Sequence, residues 1–252
     1  MKVAFLGTGT SVGVPRIGCQ CAVCRSPDPR NKRLRSSILV QHRGCHLLVD
    51  TTPDLRAQAL RAELSSLDAV LFTHGHADHL HGLDDVRCLC LDRDTPLPCY
   101  ADRRTIERIA VVFDYAFQSG SPSSVPALTL CPIEGPFDVC GLHVVPVLAY
   151  HGRLPVLGFR LGGFAYVTDC SHLPQGSLDL LAGLDTLVLD ALRDRPHPTH
   201  FSLQQALGVV RQLKPRRAFF THIAHQLDHE RTNASLPDHV RLAYDGLTLE
   251  FP

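Results

Sequence analysis

Apolar residues in this chain come in short runs bounded by glycine, proline or polar clusters, and their spacing alternates between a strand period and a helix period. Residues 2–6 read as a strand that stops at Gly7-Thr8-Gly9-Thr10-Ser11-Val12-Gly13. A dinucleotide-binding fingerprint needs a helix directly afterwards; Pro15 and a cysteine cluster follow instead, which favours a plain tight turn. Residues 36–40 and 45–49 read as a hairpin around Arg43-Gly44, and Asp50 ends its second strand. Over residues 54–64, Leu55, Ala59, Leu60 and Leu64 share one helical face, and Ala69-Val70-Leu71-Phe72 is a buried strand. Residues 81–91 and 103–120 have helical character, with a short strand beginning at Pro98, and 121–126, rich in serine and proline, reads as a mobile loop. This middle section is expected to cover a site. Residues 142–149, 157–161, 164–168, 184–189 and 217–221 are further strands, and 202–213 is a helix.

Five polar features fall just past the carboxyl end of such a strand: Asp50, the loop following Phe72, His151, Asp169 and His222. Ligand sites in layered α/β architectures gather at that edge. A repeated strand-then-ligand rhythm over this length of chain is hard to obtain by chance.

Composition narrows the classes. With 252 residues, 44% of them hydrophobic, the chain can bury a large core and is read as one domain, 1–252. Formal net charge is zero before histidine, so neither a strongly basic nucleic-acid surface nor a membrane-surface protein is expected. The longest apolar runs are strand-sized, and residues 1–6 break at Gly7 rather than continuing into a signal-peptide core, so a cytoplasmic protein is expected. Ten cysteines and fifteen histidines in such a chain point to reduced thiols and metal ligation rather than disulfides.

The densest chemistry is His74-Gly75-His76-Ala77-Asp78-His79, three imidazoles and a carboxylate on the loop leaving the 69–72 strand. An irregular loop can turn several such donors toward one point, whereas helix capping needs only one side chain. Cys19-Gln20-Cys21-Ala22-Val23-Cys24 places three thiolates where a tetrahedral structural zinc would suit them, in a loop at about 18–25, with one ligand still to be found. Arg30, Lys32 and Arg33 form a basic loop whose default is solvation, with an arginine available to a substrate phosphate. Cys45, Cys88, Cys90, Cys99, Cys131, Cys140 and Cys170 read as packing residues, and His197 as a surface one.

The histidine run, followed by lone candidates at His151, Asp169 and His222, resembles the metallo-β-lactamase superfamily, and Cys19-x-Cys21-x-x-Cys24 with Thr221-His222-Ile223-Ala224-His225 is similar to the phosphodiesterases of the carbon–phosphorus lyase pathway. The resemblance implies a four-layer αβ/βα sandwich. It implies that His74, His76 and His151 hold one metal, that Asp78, His79 and His222 hold a second, and that Asp169 bridges them. A carboxylate suits bridging, because its two oxygens can hold two cations about 3.5–4 Å apart. Asp50 then falls behind a ligating histidine as its orienting partner. His225 would complete the structural zinc site with Cys19, Cys21 and Cys24. His200, ahead of the 202–213 helix, is placed as the catalytic proton donor, and Asp78 joins it as a candidate catalytic side chain. Two divalent catalytic metals, Mn2+ or Zn2+, and one structural Zn2+ are the cofactors implied.

The activity implied is hydrolysis of a small cyclic phosphodiester, with 5-phosphoribosyl 1,2-cyclic phosphate opened to ribose 1,5-bisphosphate by water that the metals acidify. Arg35, Ser36 and Ser37 are candidates for shaping substrate choice, and a homodimer follows from the resemblance alone. Three alternatives remain: a 2′,3′-cyclic nucleotide phosphodiesterase, a transfer-RNA 3′-processing endoribonuclease, and a zinc-binding interaction module without catalysis. The ribonuclease is disfavoured by neutral charge and the lack of a basic, glycine-rich arm. Complete retention of the metal-binding pattern disfavours the module.

Overall fold

The computed structural model describes residues 1–90, 95–118 and 125–252. Two seven-stranded mixed sheets make the middle of the molecule. In the first, β1 (Lys2–Gly7), β2 (Ser37–His42), β3 (Cys45–Val49), β4 (Ala69–Leu71), β5 (Leu97–Ala101) and β6 (Leu128–Pro132) run in sequence order across the sheet. The second runs from β7 (Phe137–Val139) through β8 (Leu142–His151), β9 (Leu154–Leu161), β10 (Phe164–Val167), β11 (Thr186–Asp190) and β12 (Arg217–Thr221) to β13 (Val240–Leu242). The last strand, β14 (Thr248–Glu250), returns to pair with β1 on the edge of the first sheet.

Alternation along the strands assigns the layers. Val3, Phe5, Ile38, Val40, Leu47 and Val49 point from the first sheet into a core shared with Val144, Phe159, Tyr166 and Val188 of the second. Leu39, Leu48 and Val70 point outward instead, into a cluster with Leu55 of α2 (Leu55–Arg61), Leu80 of α3 (Ala77–Leu80) and Ile109 of α4 (Arg103–Val112). On the far side, Ala165, Leu187 and Leu189 meet α6 (Leu203–Leu213) through Leu203, Ala206, Leu207 and Val210, with Leu178 of α5 (Gln175–Leu180) packed against them. Strands buried on both faces read as continuous apolar runs, which is why the central ones were visible in the sequence. The result is the αβ/βα sandwich. No helix among the described residues is long and apolar enough to cross a membrane.

Several expectations are corrected. Residues 81–91 are not one helix: α3 ends at Leu80 and a 3-10 turn runs from Leu83 to Leu89. Gly82 explains the break, because a Cβ there would lie 1.9 Å from the Thr52 carbonyl oxygen, so the chain passes against the 51–52 loop at that point. The helix from Arg103 stops at Val112, followed by a 3-10 turn over Asp114–Phe117. The loop expected over 121–126 lies outside the described residues as far as 124. The strand expected to start at 157 begins at Leu154, and β6, β7, β13 and β14 are additional. Cys90, Cys99 and Cys170 are buried packing residues as expected, whereas Cys88 is exposed, and half-buried Cys45 and Cys140 lie with Asp68 in one donor group.

The basic loop is also absorbed by the fold. Arg33 is fully buried, donating to Thr8 Oγ1 at 2.8 Å and to the Ala243 carbonyl at 2.5 Å. Arg30 pairs with Asp28 and Glu230, Lys32 donates to the Cys24 carbonyl, and Arg35 pairs with Asp54. Their charges serve the loop's own architecture. Two small helices complete the chain, α1 (Ala22–Arg25) in the cysteine loop and α7 (His229–Asn233) beside it.

Candidate metal centre

Between the carboxyl ends of both sheets the structure collects the histidine loop, His151, Asp169, His200 and His222. Three strand-end residues hold left-handed backbone to reach it: Asp50 with φ 66°, Asp169 with φ 50° and His222 with φ 57°. Non-glycine residues seldom adopt that region, and such strain concentrates at functional sites. It turns each side chain out of the sheet's pleat and toward the centre.

The imidazoles are oriented by the groups behind them. Asp50 is completely buried and accepts from the Thr73 amide, from Thr73 Oγ1 and, at 2.7 Å, from His79 Nδ1. With its own proton given to Asp50, Thr73 Oγ1 accepts from His74 Nδ1 at 3.0 Å. His151 Nδ1 donates to the Thr199 carbonyl at 2.8 Å, and His200 Nδ1 to Asp190 Oδ2 at 2.9 Å. Four rings are thus tied outward through Nδ1, leaving Nε2 for the interior.

The inward atoms converge. His79 Nε2 lies 3.3 Å from Asp78 Oδ2 and 3.2 Å from Asp169 Oδ1, while His222 Nδ1 lies 2.7 Å from the same Asp169 oxygen. Asp169 Oδ2 faces the other way, 3.9 Å from His74 Nε2. Asp78, His79, Asp169 and His222 form one donor group with all ligand atoms within 4.8 Å, and His151, Asp169 and His200 form another. The His74 ring is 4.5 Å from that of His76 and 5.9 Å from that of His151. Asp169 therefore stands between two sets of imidazoles, one oxygen toward each.

This arrangement fits divalent cations. His74 Nε2, His79 Nε2 and His222 Nδ1 are buried and make no hydrogen bond, although they lie close to carboxylate oxygens. Buried polar atoms left unmatched are costly, and lone pairs crowded at one point are matched by a cation. Burial opposes ionisation of Asp169, but the neighbouring His222 and His79 outweigh it and hold the carboxyl well below its usual range.

The second predicted cluster also assembles. Cys19 Sγ and Cys21 Sγ are each 3.3 Å from His225 Nδ1, and Cys24 shares their donor group. The Cys24 amide, first, and His225, second, lower the Cys21 thiol to about 6, whereas burial pushes Cys24 up to about 11. Through His225 the cysteine loop lies three residues beyond His222, and the Thr10 amide donates to the Ile223 carbonyl, which brings the glycine-rich turn to the same segment.

Sequence reading missed Asp190, which holds His200 and accepts from the Cys170 amide at 2.9 Å. It ends β11 as Asp50 follows β3, so the strand-then-acid rhythm was its available signal. His197, expected at the surface, is half-buried, its ring centroid 5.1 Å from that of His200.

Residues 46–223 match the family described as the beta-lactamase superfamily domain. A crystal structure of a diphosphatase from the PhnP family superposes with a TM-score of 0.94 at 45% identity, covering 99% of this chain and 96% of that one. The chain is 39% identical over 252 residues to an octanoyltransferase of Porphyromonas gingivalis, covering 98% of this chain and 51% of the relative, so it spans about half that protein's length. The Zn(2+)-bound PqqB of Methylobacterium extorquens has the same fold, with a TM-score of 0.78 at 22% identity over all of both chains.

Proposed function

The chain belongs to the β-lactamase superfamily, and from that premise we propose that it is a metal-dependent phosphodiesterase that opens a small cyclic phosphodiester, 5-phosphoribosyl 1,2-cyclic phosphate being the substrate that fits best. The observation that carries the reading is the position of Asp169, with one oxygen toward His79 and His222 and the other toward His74. His74, His76 and His151 would hold one cation and Asp78, His79 and His222 the other, with Asp169 shared. Two divalent cations there neutralise charge on phosphoryl oxygens and lower the pKa of water from 15.7 toward about 7.

The remaining chemistry falls to His200. As the oxygen of a water that has given one proton to solvent joins phosphorus, the bond to the ribose 2-oxygen breaks, and that oxygen leaves with a proton from His200 Nε2, which solvent then restores. Asp190 fixes the donor's tautomer by accepting from Nδ1. Burial lowers the His200 pKa, so the cation that carries protons on both ring nitrogens is a stronger acid but a smaller fraction of the ring near neutral pH.

The likeness to a diphosphatase favours a second reading, cleavage of a phosphoanhydride at the same centre. The two differ in leaving group. An alkoxide needs a proton and a phosphate does not, so His200→Ala should reduce turnover of a cyclic ribose phosphate by roughly 10²–10⁴-fold but that of a diphosphate far less. The octanoyltransferase relative is about twice this chain's length, and acyl transfer is not carried over from it.

Phosphorus NMR of the manganese- or zinc-reconstituted protein tests the reading, with 5-phosphoribosyl 1,2-cyclic phosphate run beside a 2′,3′-cyclic nucleotide and a nucleoside diphosphate. Preferential opening of the ribose substrate is expected. Turnover of the diphosphate alone would replace this reading with the second.

A further inference from the structure

A cavity of about 390 Å³ opens between α4 and the histidine loop, directly beside His74 and His76. Val111, Leu154 and Pro155 give it an apolar side, while Arg104 and Arg108 stand on its rim. The two arginines are one helical turn apart, so their guanidinium groups share a face. Both are exposed, and neither has a hydrogen-bond or ion-pair partner among the described residues. That sets them apart from Arg103 on the same helix, which lies 3.9 Å from Glu134, and from Arg30, Arg33 and Arg35, all engaged within the fold.

Gly75 adjusts the approach. A Cβ there would meet Cβ and Cγ of Arg108 at 3.3 Å, so the missing side chain lets α4 seat Arg108 beside the two histidines. Two carboxylates also line the cavity. Asp102 is occupied at the start of α4, accepting from the Thr105 amide at 2.8 Å. Glu107 makes no ion pair with either arginine among the described residues, so it moderates the positive rim without closing it.

We infer that this cavity is the subsite for a second, non-scissile phosphate of the substrate, bound by Arg104 and Arg108, with the intervening sugar resting on Val111, Leu154 and Pro155. The inference rests on the phosphodiesterase reading and adds the source of its selectivity. Guanidinium forks match phosphate oxygens with paired hydrogen bonds. A phosphate at the rim places the other end of a short sugar phosphate toward His74 and His76. Selectivity for substrates with two phosphates then comes from α4 and not from the basic loop after the cysteines.

Steady-state kinetics with ribose 1,2-cyclic phosphate, with and without its 5-phosphate, tests this directly. The wild-type protein should prefer the 5-phosphorylated substrate by at least about tenfold in kcat/KM, a preference expressed mainly in KM. In Arg104→Gln/Arg108→Gln that preference should collapse toward unity, in the corresponding lysine variants it should return in part, and Glu107→Gln should increase it. A wild type without preference, or glutamine variants that lose both substrates in equal proportion, would overturn the subsite. Bis(p-nitrophenyl) phosphate separates the two levels. Its hydrolysis without any 5-phosphate preference removes the subsite alone, whereas failure to hydrolyse any phosphodiester removes the phosphodiesterase reading and this inference with it.

Discussion

The molecule carries two donor clusters built in opposite ways. Three of the four donors of the thiol cluster lie within six residues, Cys19, Cys21 and Cys24, and only His225 comes from far away. The imidazole–carboxylate cluster draws from both sheets, from His74 to His222, and three of the residues that build or orient it, Asp50, Asp169 and His222, need left-handed backbone at a strand end. A local cluster requires only a loop, whereas a dispersed one requires the whole sandwich. The difference teaches where each cluster's cost lies: in the first it is the ordering of one loop, in the second it is strain that the packed sheets must hold.

Asp169→Asn breaks the comparison most severely. It turns one of the two carboxylate oxygens that face the imidazole sets into an amide nitrogen, and it leaves His79 and His222 without the charge 3.2 and 2.7 Å away. Turnover should fall by at least about 10³-fold, and elemental analysis should find the catalytic metals lost while about one zinc per chain stays at the thiols. Retention of all metal in that variant would remove Asp169 from the bridging position.

Cys21→Ala addresses the other cluster and has a smaller, indirect effect. The thiol lies 3.3 Å from His225 Nδ1, three residues beyond His222. Loss of one zinc per chain is expected, with a lower melting temperature and a fall in activity of roughly 10–100-fold, the scale on which supports of a metal centre act. Full activity and full metal content in this variant would show that the clusters are independent.

The two clusters were also unequally legible. The His74–His79 run and the three cysteines announce themselves because their donors are adjacent in sequence. Asp50, His151, Asp169 and His222 could be placed because each follows an apolar run long enough to read as a strand. Asp190 was hidden by the same feature, since an acid at the end of Thr186–Asp190 looks like simple termination until His200 is seen beside it. Edge strands such as Phe137–Val139 and Val240–Leu242 are too short to show a period. The cavity beneath α4 depends on which arginines lack partners, and that is decided by tertiary contacts that no local pattern encodes.

The smallest effect concerns the segment that backs the thiol cluster. His229 is 4% exposed, its amide donates to Asn31 Oδ1, and its Nδ1 accepts from the Arg33 guanidinium at 3.2 Å. That bond requires a neutral Nδ1. Burial first, and the Arg33 and Arg30 charges second, lower the His229 pKa from 6.5 to about 4. The folded value lies below the unfolded one, so the unfolded chain binds more protons between them and stability declines as pH falls. No effect is expected above about pH 7.5; the loss grows from about pH 6.5 and levels off below about pH 4, reaching at most about 3 kcal/mol. His229→Asn keeps an acceptor near Nδ1 but does not titrate. Protonation of metal ligands weakens both proteins alike, so the difference between their urea midpoints across this range isolates His229. A wild-type stability that falls more steeply with acid than the variant's is expected, and parallel curves would mean that the proton goes elsewhere.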